Sequence, residues 1–369
     1  MVEWKKLGDI CEIKGRIGFR GYTREDQVDK GEGAISLSPG NITDGSLNFD
    51  SCTYITWEKY DESPEIMVSE GDIILGKTAS VGKVARIKEL PEKATINPQL
   101  VLIKNITINP QYLFYVLSDS PFQKTIKGLA GVGSVPNVSQ AKLSQILIPV
   151  PNPSEQERIE KLLNTFTSSI DNLKQQIAQR RKQYEYYRDQ LLDLEGKEGV
   201  EMKISDFCLL KAGKSISANK IFENRIGNVF PCIGGNGIRG YVSSYSHEGS
   251  YPVIGRQGAL CGCVNWIAGK FYATEHAVVA TGKKNTDQRF LYYLFENADL
   301  NQYKTQGAQP GLSVAKLNEV KFLIPSLSEQ QRIVSILDTF EASIQNLEAQ
   351  LSQREKQYEY YRNKLLTFE

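Results

Sequence analysis

One stretch of the sequence matches a phosphate-binding pattern. Gly71 to Thr78 follows the order Gly-x-x-x-x-Gly-Lys-Thr that is typical of nucleotide-binding loops. In such a loop the backbone amides curl around the phosphates and a helix follows. Here Asp72 to Leu75 is predicted to be a β-strand, and Ala79 to Gly82 does not begin a helix. The context therefore argues against nucleotide hydrolysis.

Other patterns that could carry catalysis or bind a metal are weaker. Gly235 to Gly240 fits Gly-x-Gly-x-x-Gly, but the sequence continues as strand or turn. Asn109 to Tyr112 lacks the second proline of the Asn-Pro-Pro-Tyr motif of adenine methyltransferases. Cys232, Cys261 and Cys263 lack the usual zinc-site spacing, and neither histidine lies in a recognisable nucleophile motif. We expect no catalytic centre, metal or cofactor on this chain.

Small, cationic and amide residues cluster after predicted strands in a pattern that suits DNA recognition. Arg and Lys bind guanine edges or phosphates, whereas Gln and Asn match adenine. Any one of these residues could equally belong to a solvated turn, and only their duplicated placement favours DNA. The predicted DNA-binding residues are Asn41, Lys77, Thr78, Ser80, Lys83, Ser134 and Asn137 in the first half of the chain, and Asn236, Arg239, Arg256, Gln257 and Gln309 in the second.

Two long helices must position these loops. The heptapeptide KQYEYYR stands at Lys182–Arg188 and again 174 residues later at Lys356–Arg362. Around both copies, apolar or large residues alternate by four and three, which is typical of a coiled-coil seam. Arg180 occupies one seam position, so it needs an acidic neighbour or a route to solvent. Ser154 with Glu157, and Ser328 with Gln331, predict capping boxes at the helix starts.

The connectivity of the chain favours an antiparallel helix pair. The second globular unit leaves the C-terminus of the first helix and returns to the N-terminus of the second, so in a parallel pair it would straddle roughly 60 Å. Antiparallel pairing predicts a dumbbell with a pseudo-two-fold axis near Ile177 and Leu351. The expected register pairs Leu163 with Leu365 and Ile170 with Tyr358, and places Arg180 across from Leu347.

The repeat divides the chain into four parts: a globular unit over 1–153, a helix over 154–195, a second globular unit over 196–327 and a second helix over 328–369. Both units are expected to be α/β (α+β) with a strand majority. Their edges correspond while their middles diverge, which predicts one scaffold carrying two recognition surfaces. The first unit is predicted to contain strands at Ile35–Leu37, Asp72–Leu75, Lys83–Ile87, Leu100–Ile103 and Gln145–Pro149, and helices at Gln111–Ser118 and Gln140–Ser144.

Composition limits the classes of protein that remain. The formal net charge is +1, which argues against indiscriminate adhesion to nucleic acids or acidic membranes but allows a local basic face. No apolar run approaches the length of a membrane span, and the sequence does not open on a secretory signal. The six cysteines follow no disulfide framework. We expect a soluble cytoplasmic protein.

Tyr186 and Tyr360 lie one position away from the seam, at equivalent places in the two helices. They are therefore exposed unless something covers them. Aromatic residues beside charged ones are often ordinary amphipathic surface. The alternative is that they form the docking face of a partner protein.

Taken together, the chain resembles the specificity subunit of a Type I restriction-modification system. The resemblance covers nearly the whole chain and is carried by Trp4–Ile10, Gly71–Ile74 and the similar helix starts at Pro149–Ile159 and Pro325–Ile333. It implies that both globular units are target recognition domains. Each would read one half of a split, asymmetric sequence in double-stranded DNA, with the antiparallel coil as the ruler between them.

The resemblance also implies partners. Two modification methyltransferase subunits would dock on the helices, with Tyr186 and Tyr360 as contact residues, and would use S-adenosylmethionine to methylate adenine. Restriction/translocase subunits driven by ATP and Mg would join them, and this subunit would have no catalytic centre. Two other interpretations stay open. One is a coiled-coil scaffold whose end domains bind proteins, and the other is a phosphate-loop enzyme based on Gly76, Lys77 and Thr78.

Overall fold

The computed structural model of the chain describes residues 2–131, 135–227, 229–258, 261–305 and 311–368. Its contacts divide the chain into two compact units. Unit 1 contains Met1–Asn172 and Leu351–Glu369, and unit 2 contains Leu173–Gln350. Each unit therefore holds one β-rich domain together with stretches of both long helices. Across the described residues, no helix is both long and apolar enough to cross a membrane.

The domain of unit 1 is built from two four-stranded sheets and two short pairs of strands. The sheets have the strand orders β2-β11-β8-β9 and β10-β4-β7-β3, while β1 pairs with β12 and β5 with β6. The elements are β1 (Glu3–Lys6), α1 (Leu7–Ile10), β2 (Glu12–Lys14), β3 (Gln27–Val28), β4 (Gly33–Leu37), β5 (Ile42–Thr43), β6 (Ser46–Leu47), β7 (Thr53–Thr56), α2 (Trp57–Asp61), β8 (Ile73–Gly76), β9 (Val84–Arg86), β10 (Ala94–Ile96), β11 (Leu100–Lys104), α3 (Pro110–Ser118), α4 (Ser120–Leu129), α5 (Gln140–Ser144) and β12 (Leu147–Val150).

Two long helices follow the two domains. They are α6 (Pro153–Leu192) and, at the end of the chain, α10 (Leu327–Leu366). Between them lies the domain of unit 2, which has one six-stranded sheet of order β14-β19-β17-β18-β15-β16 and the pair β13-β20. Its elements are β13 (Val200–Lys203), α7 (Ile204–Phe207), β14 (Cys208–Ala212), β15 (Phe230–Gly234), β16 (Gly237–Val242), β17 (His247–Gly255), β18 (Val264–Ala273), β19 (Ala277–Gly282), α8 (Gln288–Asn297), α9 (Val314–Asn318) and β20 (Lys321–Ile324).

The two domains share a four-stranded frame. The order β2-β11-β8-β9 in unit 1 corresponds to β14-β19-β17-β18 in unit 2, and all neighbouring strands in both frames are antiparallel. Unit 1 adds a separate sheet to this frame, whereas unit 2 extends the frame itself with β15 and β16. The expected mixed α/β fold with an internal repeat is confirmed, and the middles of the domains diverge because each adds different strands.

The predicted strands of unit 1 each coincide with an observed strand to within two residues, and both predicted helices are present. Three helices of unit 1 were not predicted, α1, α2 and α4. The longest of them, α4, places Pro121 in its first turn and Gly128 near its end. Proline is tolerated there because the first helical N–H groups have no intrahelical partner. Phe122 and Ile126, four residues apart, turn one face of α4 into the core.

The caps of the long helices differ from the expectation. Asn152 caps α6, since its Oδ1 accepts a hydrogen bond of 2.9 Å from the N–H of Glu155. Ser326 caps α10 in the same way through the N–H of Glu329 at 3.4 Å. The predicted capping boxes at Ser154 and Ser328 are therefore wrong by two residues, because the residue before each already takes helical geometry.

Within each unit, the two long helices pack antiparallel through aromatic rings. In unit 1 the ring of Phe166 stacks on Tyr361 at 5.3 Å, and the guanidinium of Arg354 lies 5.8 Å from the same ring. Leu163, earlier in α6, shares the core with Leu365, later in α10. The order of contacts along α10 thus runs opposite to that along α6.

Unit 2 repeats this cluster with the helices exchanged. Tyr187 stacks on Phe340 at 5.4 Å, and Arg180 lies 5.8 Å from the same ring. The half-buried Arg180 thus rests on an aromatic face and donates to Gln183 Oε1 at 3.1 Å. No acidic neighbour is needed, because the guanidinium keeps a route to solvent.

A buried glutamine fastens the start of each helix to its domain. Gln156 accepts from the N–H of Asn109 at 2.9 Å and donates to the carbonyl of Pro151 at 2.8 Å. Gln330 accepts from the N–H of Asp287 at 2.8 Å and donates to the carbonyl of Pro325 at 2.9 Å. Both side chains are almost fully buried, so these bonds are shielded from water.

Replacing Gln330 with Leu is expected to destabilise unit 2. The change leaves the N–H of Asp287 and the carbonyl of Pro325 buried without this partner, which costs roughly 1–3 kcal/mol. We expect the apparent melting temperature in circular dichroism to fall by several degrees, at about 2–4 °C per kcal/mol. Gln331→Leu, at an exposed neighbouring position, is the matched control. Equal melting of the two variants would contradict the assignment.

Candidate nucleic-acid interface

The strongest predicted DNA-binding residues lie on two equivalent loops, one in each domain. We call residues 76–83 and 255–263 the cation loops; residues 259 and 260 are not described. In unit 1 the N–H of Lys77 donates to Gln99 at 2.9 Å, and the carbonyl of Lys77 accepts from Val138 at 2.9 Å. Lys77, which directly follows β8, is thereby fixed between the residue before β11 and the segment before α5.

The same backbone bonds hold the second cation loop. The N–H of Arg256 donates to His276 at 2.8 Å, and its carbonyl accepts from Leu312 at 2.8 Å. The next residue also corresponds, because Thr78 forms a β-bridge with Asn137 and Gln257 forms one with Gly311. Lys77 and Arg256 therefore occupy the same place in the frame, as do Thr78 and Gln257.

Each cation loop closes on its first glycine. The N–H of Gly76 donates to the carbonyl of Lys83 at 2.7 Å, and the carbonyl of Gly76 accepts from the N–H of Gly82 at 3.0 Å. In the second loop, the N–H of Gly255 donates to the carbonyl of Cys263 at 2.8 Å, and the carbonyl of Gly255 accepts from the N–H of Gly262 at 2.8 Å. A Cβ on Gly76 would lie 2.3 Å from the carbonyl oxygen of Ser80. On Gly255 it would lie 2.0 Å from the carbonyl oxygen of Gly235. Only glycine fits at the start of either loop.

In unit 1 the structure brings Lys77, Thr78, Ser80 and Asn137 together. The hydroxyl of Thr78 donates to Asn137 Oδ1 at 2.8 Å on the surface. Lys77 is half-buried, and desolvation lowers the pKa of its ammonium. That ammonium forms no hydrogen bond or ion pair with any residue that the structure describes. An unpaired, partly desolvated cation would gain from an anionic or guanine partner.

Lys83 and Asn41 hold a neighbouring turn against this loop. The ammonium of Lys83 donates to the carbonyls of Pro39 at 3.0 Å and Ile42 at 3.3 Å. Asn41 is 4% exposed, and its Oδ1 accepts from the N–H of Ser38 at 2.9 Å. Both side chains therefore bond to backbone groups of this turn and hold its shape beside the loop.

In unit 2 the hairpin that joins β15 to β16 lies against the second cation loop. Its turn carries Asn236, and Arg239 follows on β16; both side chains are exposed. Arg256 is half-buried, and its Nε donates to the carbonyl of Leu312 at 3.0 Å, which fixes the plane of the guanidinium. Gln257 is exposed beside it. Ser134 and Gln309, also predicted DNA contacts, lie outside the described residues.

The segments that resemble catalytic motifs have other roles. Ile73–Gly76 is the strand β8, hydrogen-bonded between β11 and β9, so its amides are not free to surround a phosphate. Gly235 to Gly240 forms the turn between β15 and β16 and the first part of β16. Asn109 caps α3 by accepting from the N–H of Tyr112 at 2.9 Å. Among the described residues, no group of His, Cys, Asp and Glu is arranged to hold a metal ion.

The sequence alone did not point to the backbone partners of the cation loops. Val138 and Leu312 complete the equivalent bonds, and they are separated by the same 174 residues as the two helices. Extending the helix repeat backwards through Asn137 and Gly311 would have located both positions. Gln99 and His276, which contribute only carbonyl oxygens, leave no signal in side-chain chemistry.

The two predicted docking tyrosines are exposed and have matching surroundings. Tyr186 is 62% exposed and packs edge-on against Tyr187, with ring centroids 5.4 Å apart. Tyr360 is 59% exposed and packs in the same way against Tyr361 at 5.3 Å. Each exposed ring therefore continues an aromatic cluster that begins between the helices.

Two related β-rich domains carry equivalent cationic loops and are joined by long helices α6 and α10 that pack together, an architecture that suits a DNA-recognition protein. Residues 1–180 and 197–355 match the family model for the Type I restriction modification DNA specificity domain. The chain belongs to this family. It is a DNA specificity subunit of a Type I restriction-modification system, and specificity subunits are non-catalytic.

Individual relatives agree with this assignment. The chain is 35% identical over 289 residues to the Type I restriction enzyme EcoprrI specificity subunit of Escherichia coli, covering 74% of this chain and 71% of the relative. The crystal structure of the Type-I restriction-modification system S subunit from M. genitalium aligns with a TM-score of 0.66 at 17% identity, covering 100% of this chain and 97% of that one. A structure reported for complex assembly and conformational transition of the type I R-M system aligns with a TM-score of 0.60 at 16% identity, covering 99% and 96%. The structural likeness shows the shared fold.

Proposed function

We propose that each domain reads one half of a bipartite, asymmetric target in double-stranded DNA, and that the helix pair sets the distance between the halves. The equivalence of the cation loops carries this proposal. Lys77 and Arg256 are fixed by the same backbone bonds, but the side chains and the added strands around them differ. One frame with two different surfaces suits two different half-sites.

The chemistry of the loops supports base recognition. A guanidinium such as that of Arg256 can donate two hydrogen bonds to a guanine, and an amide such as that of Gln257 can pair with an adenine. Lys77 offers an ammonium at the equivalent place, with Thr78, Ser80 and Asn137 beside it. Around these central residues we include Lys83 and Asn41 as supports of the loop, Asn236 and Arg239 as contacts to the flanking duplex, and Ser134 and Gln309 as further contacts.

We further propose that two modification methyltransferase subunits dock on the long helices around Tyr186 and Tyr360. These subunits would bind S-adenosylmethionine and methylate adenine, and restriction/translocase subunits would bring ATP and Mg. This chain would supply DNA specificity and no reacting group. The matching surroundings of the two tyrosines support two copies of one partner, because each partner would meet the same aromatic cluster.

Co-expression with the methyltransferase subunit, followed by genome-wide mapping of methylated adenine, tests the proposed function. We expect a motif of two specified halves separated by unspecified bases. Cells that express the methyltransferase subunit alone are the control and should show no such motif. A continuous motif, or none, would contradict the proposal.

A further inference from the structure

Ala79, in the first cation loop, has a left-handed backbone conformation with a φ of +61°. This conformation costs free energy for a residue with a side chain, because the Cβ comes too close to the following carbonyl oxygen. After glycine, asparagine and aspartate tolerate it best. The other non-glycine residues with positive φ in the described ranges are all of these two types: Asp44, Asn105, Asn285 and Asp299. Ala79 is the exception among them.

Two backbone bonds hold Ala79 in this conformation. Its N–H donates to the carbonyl of Pro136 at 3.0 Å, and the N–H of Ser80 donates to the carbonyl of Thr78 at 2.7 Å. The second bond closes a three-residue turn centred on Ala79, and such a turn is rare and strained when its central φ is positive. Glycine would adopt the same turn without the steric conflict of a Cβ.

The second cation loop has glycine at the equivalent place. Lys77 and Arg256 are equivalent by their backbone bonds. Two residues further along, Ala79 of the first loop corresponds to Gly258 of the second. Gly258 is also left-handed, with a φ of +93°, and a Cβ added there would meet no atom of the described residues within 4 Å. The shared frame therefore uses a left-handed residue at this place but needs no side chain on it.

The methyl group of Ala79 is not part of the packing of the fold. The residue is exposed, and it belongs to neither of the hydrophobic clusters formed by the described residues of unit 1. The chain thus carries a methyl group that strains the loop and adds nothing to the core. Strain of this kind is typical of functional sites. A contact with a bound molecule would explain why the methyl group is present.

The neighbours of Ala79 indicate that this molecule is DNA and that the contact is to a base. Lys77 and Thr78 precede it in the loop, and the hydroxyl of Thr78 donates to Asn137 Oδ1 at 2.8 Å. Phosphates bind cations and hydrogen-bond donors, so a phosphate contact gives a methyl group no role. In the major groove of B-DNA, the C5-methyl of thymine is the apolar group on the base edges, and alanine side chains contact it.

We propose that Ala79 contacts the C5-methyl group of a thymine in the half of the DNA target that unit 1 binds. The inference rests on the proposed function and deepens it by naming one base and the group of that base. Lys77 supplies a polar contact of the loop, and Ala79 supplies the apolar one. Gly258 has no methyl group to offer, so the two cation loops differ in the base that they select at this place.

The test removes the methyl group from each side of the contact in turn. The full chain with its methyltransferase subunits is titrated with duplexes that carry the target found by methylation mapping. In the half that Lys77→Ala alters, each thymine is replaced singly by uracil, which lacks only the C5-methyl group. For the wild-type chain, we expect one of these replacements to weaken binding about fourfold, the effect of burying one methylene-sized group. Ala79→Gly should weaken binding of the unmodified duplex by about the same factor.

Combining the two changes separates a direct contact from an effect on the shape of the loop. Ala79→Gly should bind the duplex with that one uracil as tightly as the unmodified duplex, because the contact is absent in both. Its melting temperature should be no lower than that of the wild type, because glycine relieves the strain. Asn105→Gly is the matched control, since it changes another exposed left-handed residue outside the cation loops. This control should bind every duplex as the wild type does.

Three results would overturn the inference while the proposed function stands. One is an Ala79→Gly chain that binds the target as tightly as the wild type although Lys77→Ala alters its half of the motif. Another is the same response of Ala79→Gly and the wild type to uracil at every thymine. The third is a lower melting temperature of Ala79→Gly, which would give the methyl group a role in the fold. If Lys77→Ala altered neither half, the proposed function would fail and the inference with it.

Discussion

Replacing Arg256 with Ala is expected to relax recognition of one half of the DNA target and to leave the other half unchanged. The side chain is held in one plane by its bond to Leu312, so it is prepared for a bidentate contact. A bidentate base contact is worth roughly 1–3 kcal/mol of discrimination. Adenine methylation mapping of cells that carry the variant measures this directly, because each half of the motif is scored separately.

Lys77→Ala is the matched control for this experiment. Lys77 occupies the equivalent place in the other domain, so its loss should affect the other half of the motif. Each variant thus serves as the control that shows whether the other has caused general damage to the complex. If both variants altered the same half, or neither altered any, the cation loops would not be the reading elements. Loss of all methylation by Arg256→Ala with a normally folded chain would also count against a half-site role.

Shortening both long helices by one heptad is expected to change the spacing between the two halves of the target. Removal of residues 174–180 and of the equivalent residues 348–354 keeps the seam pattern in both helices. Each helix becomes about 10 Å shorter at about 1.5 Å per residue. That length corresponds to about three base pairs at roughly 3.4 Å each. Methylation mapping should show a spacer shorter by about three base pairs, or no methylation where the partners cannot follow.

The control deletes the heptad from α6 alone. The two seams then no longer match in length, and we expect loss of the ordered helix pair, seen as a lower melting temperature, without a new spacer. An unchanged spacer after the paired deletion would rule out the helices as the measuring element.

The sequence predicted most reliably what depends on periodicity. The seam of α6 and α10 follows from residues such as Phe166 and Phe340, and both helices end within a few residues of their expected bounds. The strands of the shared frame also carry a local signal. In contrast, the sheet β10-β4-β7-β3 includes a parallel pair between β10 and β4, which are far apart in sequence. No local pattern in the sequence predicts a pairing between strands so far apart.

The residue types in the sequence were enough to propose a candidate site, but its geometry could not be predicted from them. Lys77 and Arg256 are separated by 179 positions in the sequence, whereas their bonding partners Val138 and Leu312 are separated by 174. No single offset therefore aligns the cation loops together with their partners. The equivalence became visible only through shared backbone bonds. For Asn41 the residue type itself was misleading, because this polar residue of a predicted loop is buried by its own turn. Its burial depends on contacts with Asn48 and Ser51 that composition does not reveal.

The glutamines that fasten each helix to its domain have a consequence for how such a molecule can change. Gln156 and Gln330 bond to main-chain N–H and carbonyl groups and, within the described parts of each domain, to no side chain. Their partners are an asparagine in one unit and an aspartate in the other, yet the bonds are alike. These bonds do not depend on which side chains the domain carries at Asn109 and Asp287, so this part of the junction tolerates a change of domain sequence. Side-chain pairs between domain and helix, such as Tyr115 with Asn164 and Arg289 with Asp338, have to change together with the domain. A replaced domain therefore keeps the glutamine bonds and needs matched changes in the helices only at such pairs.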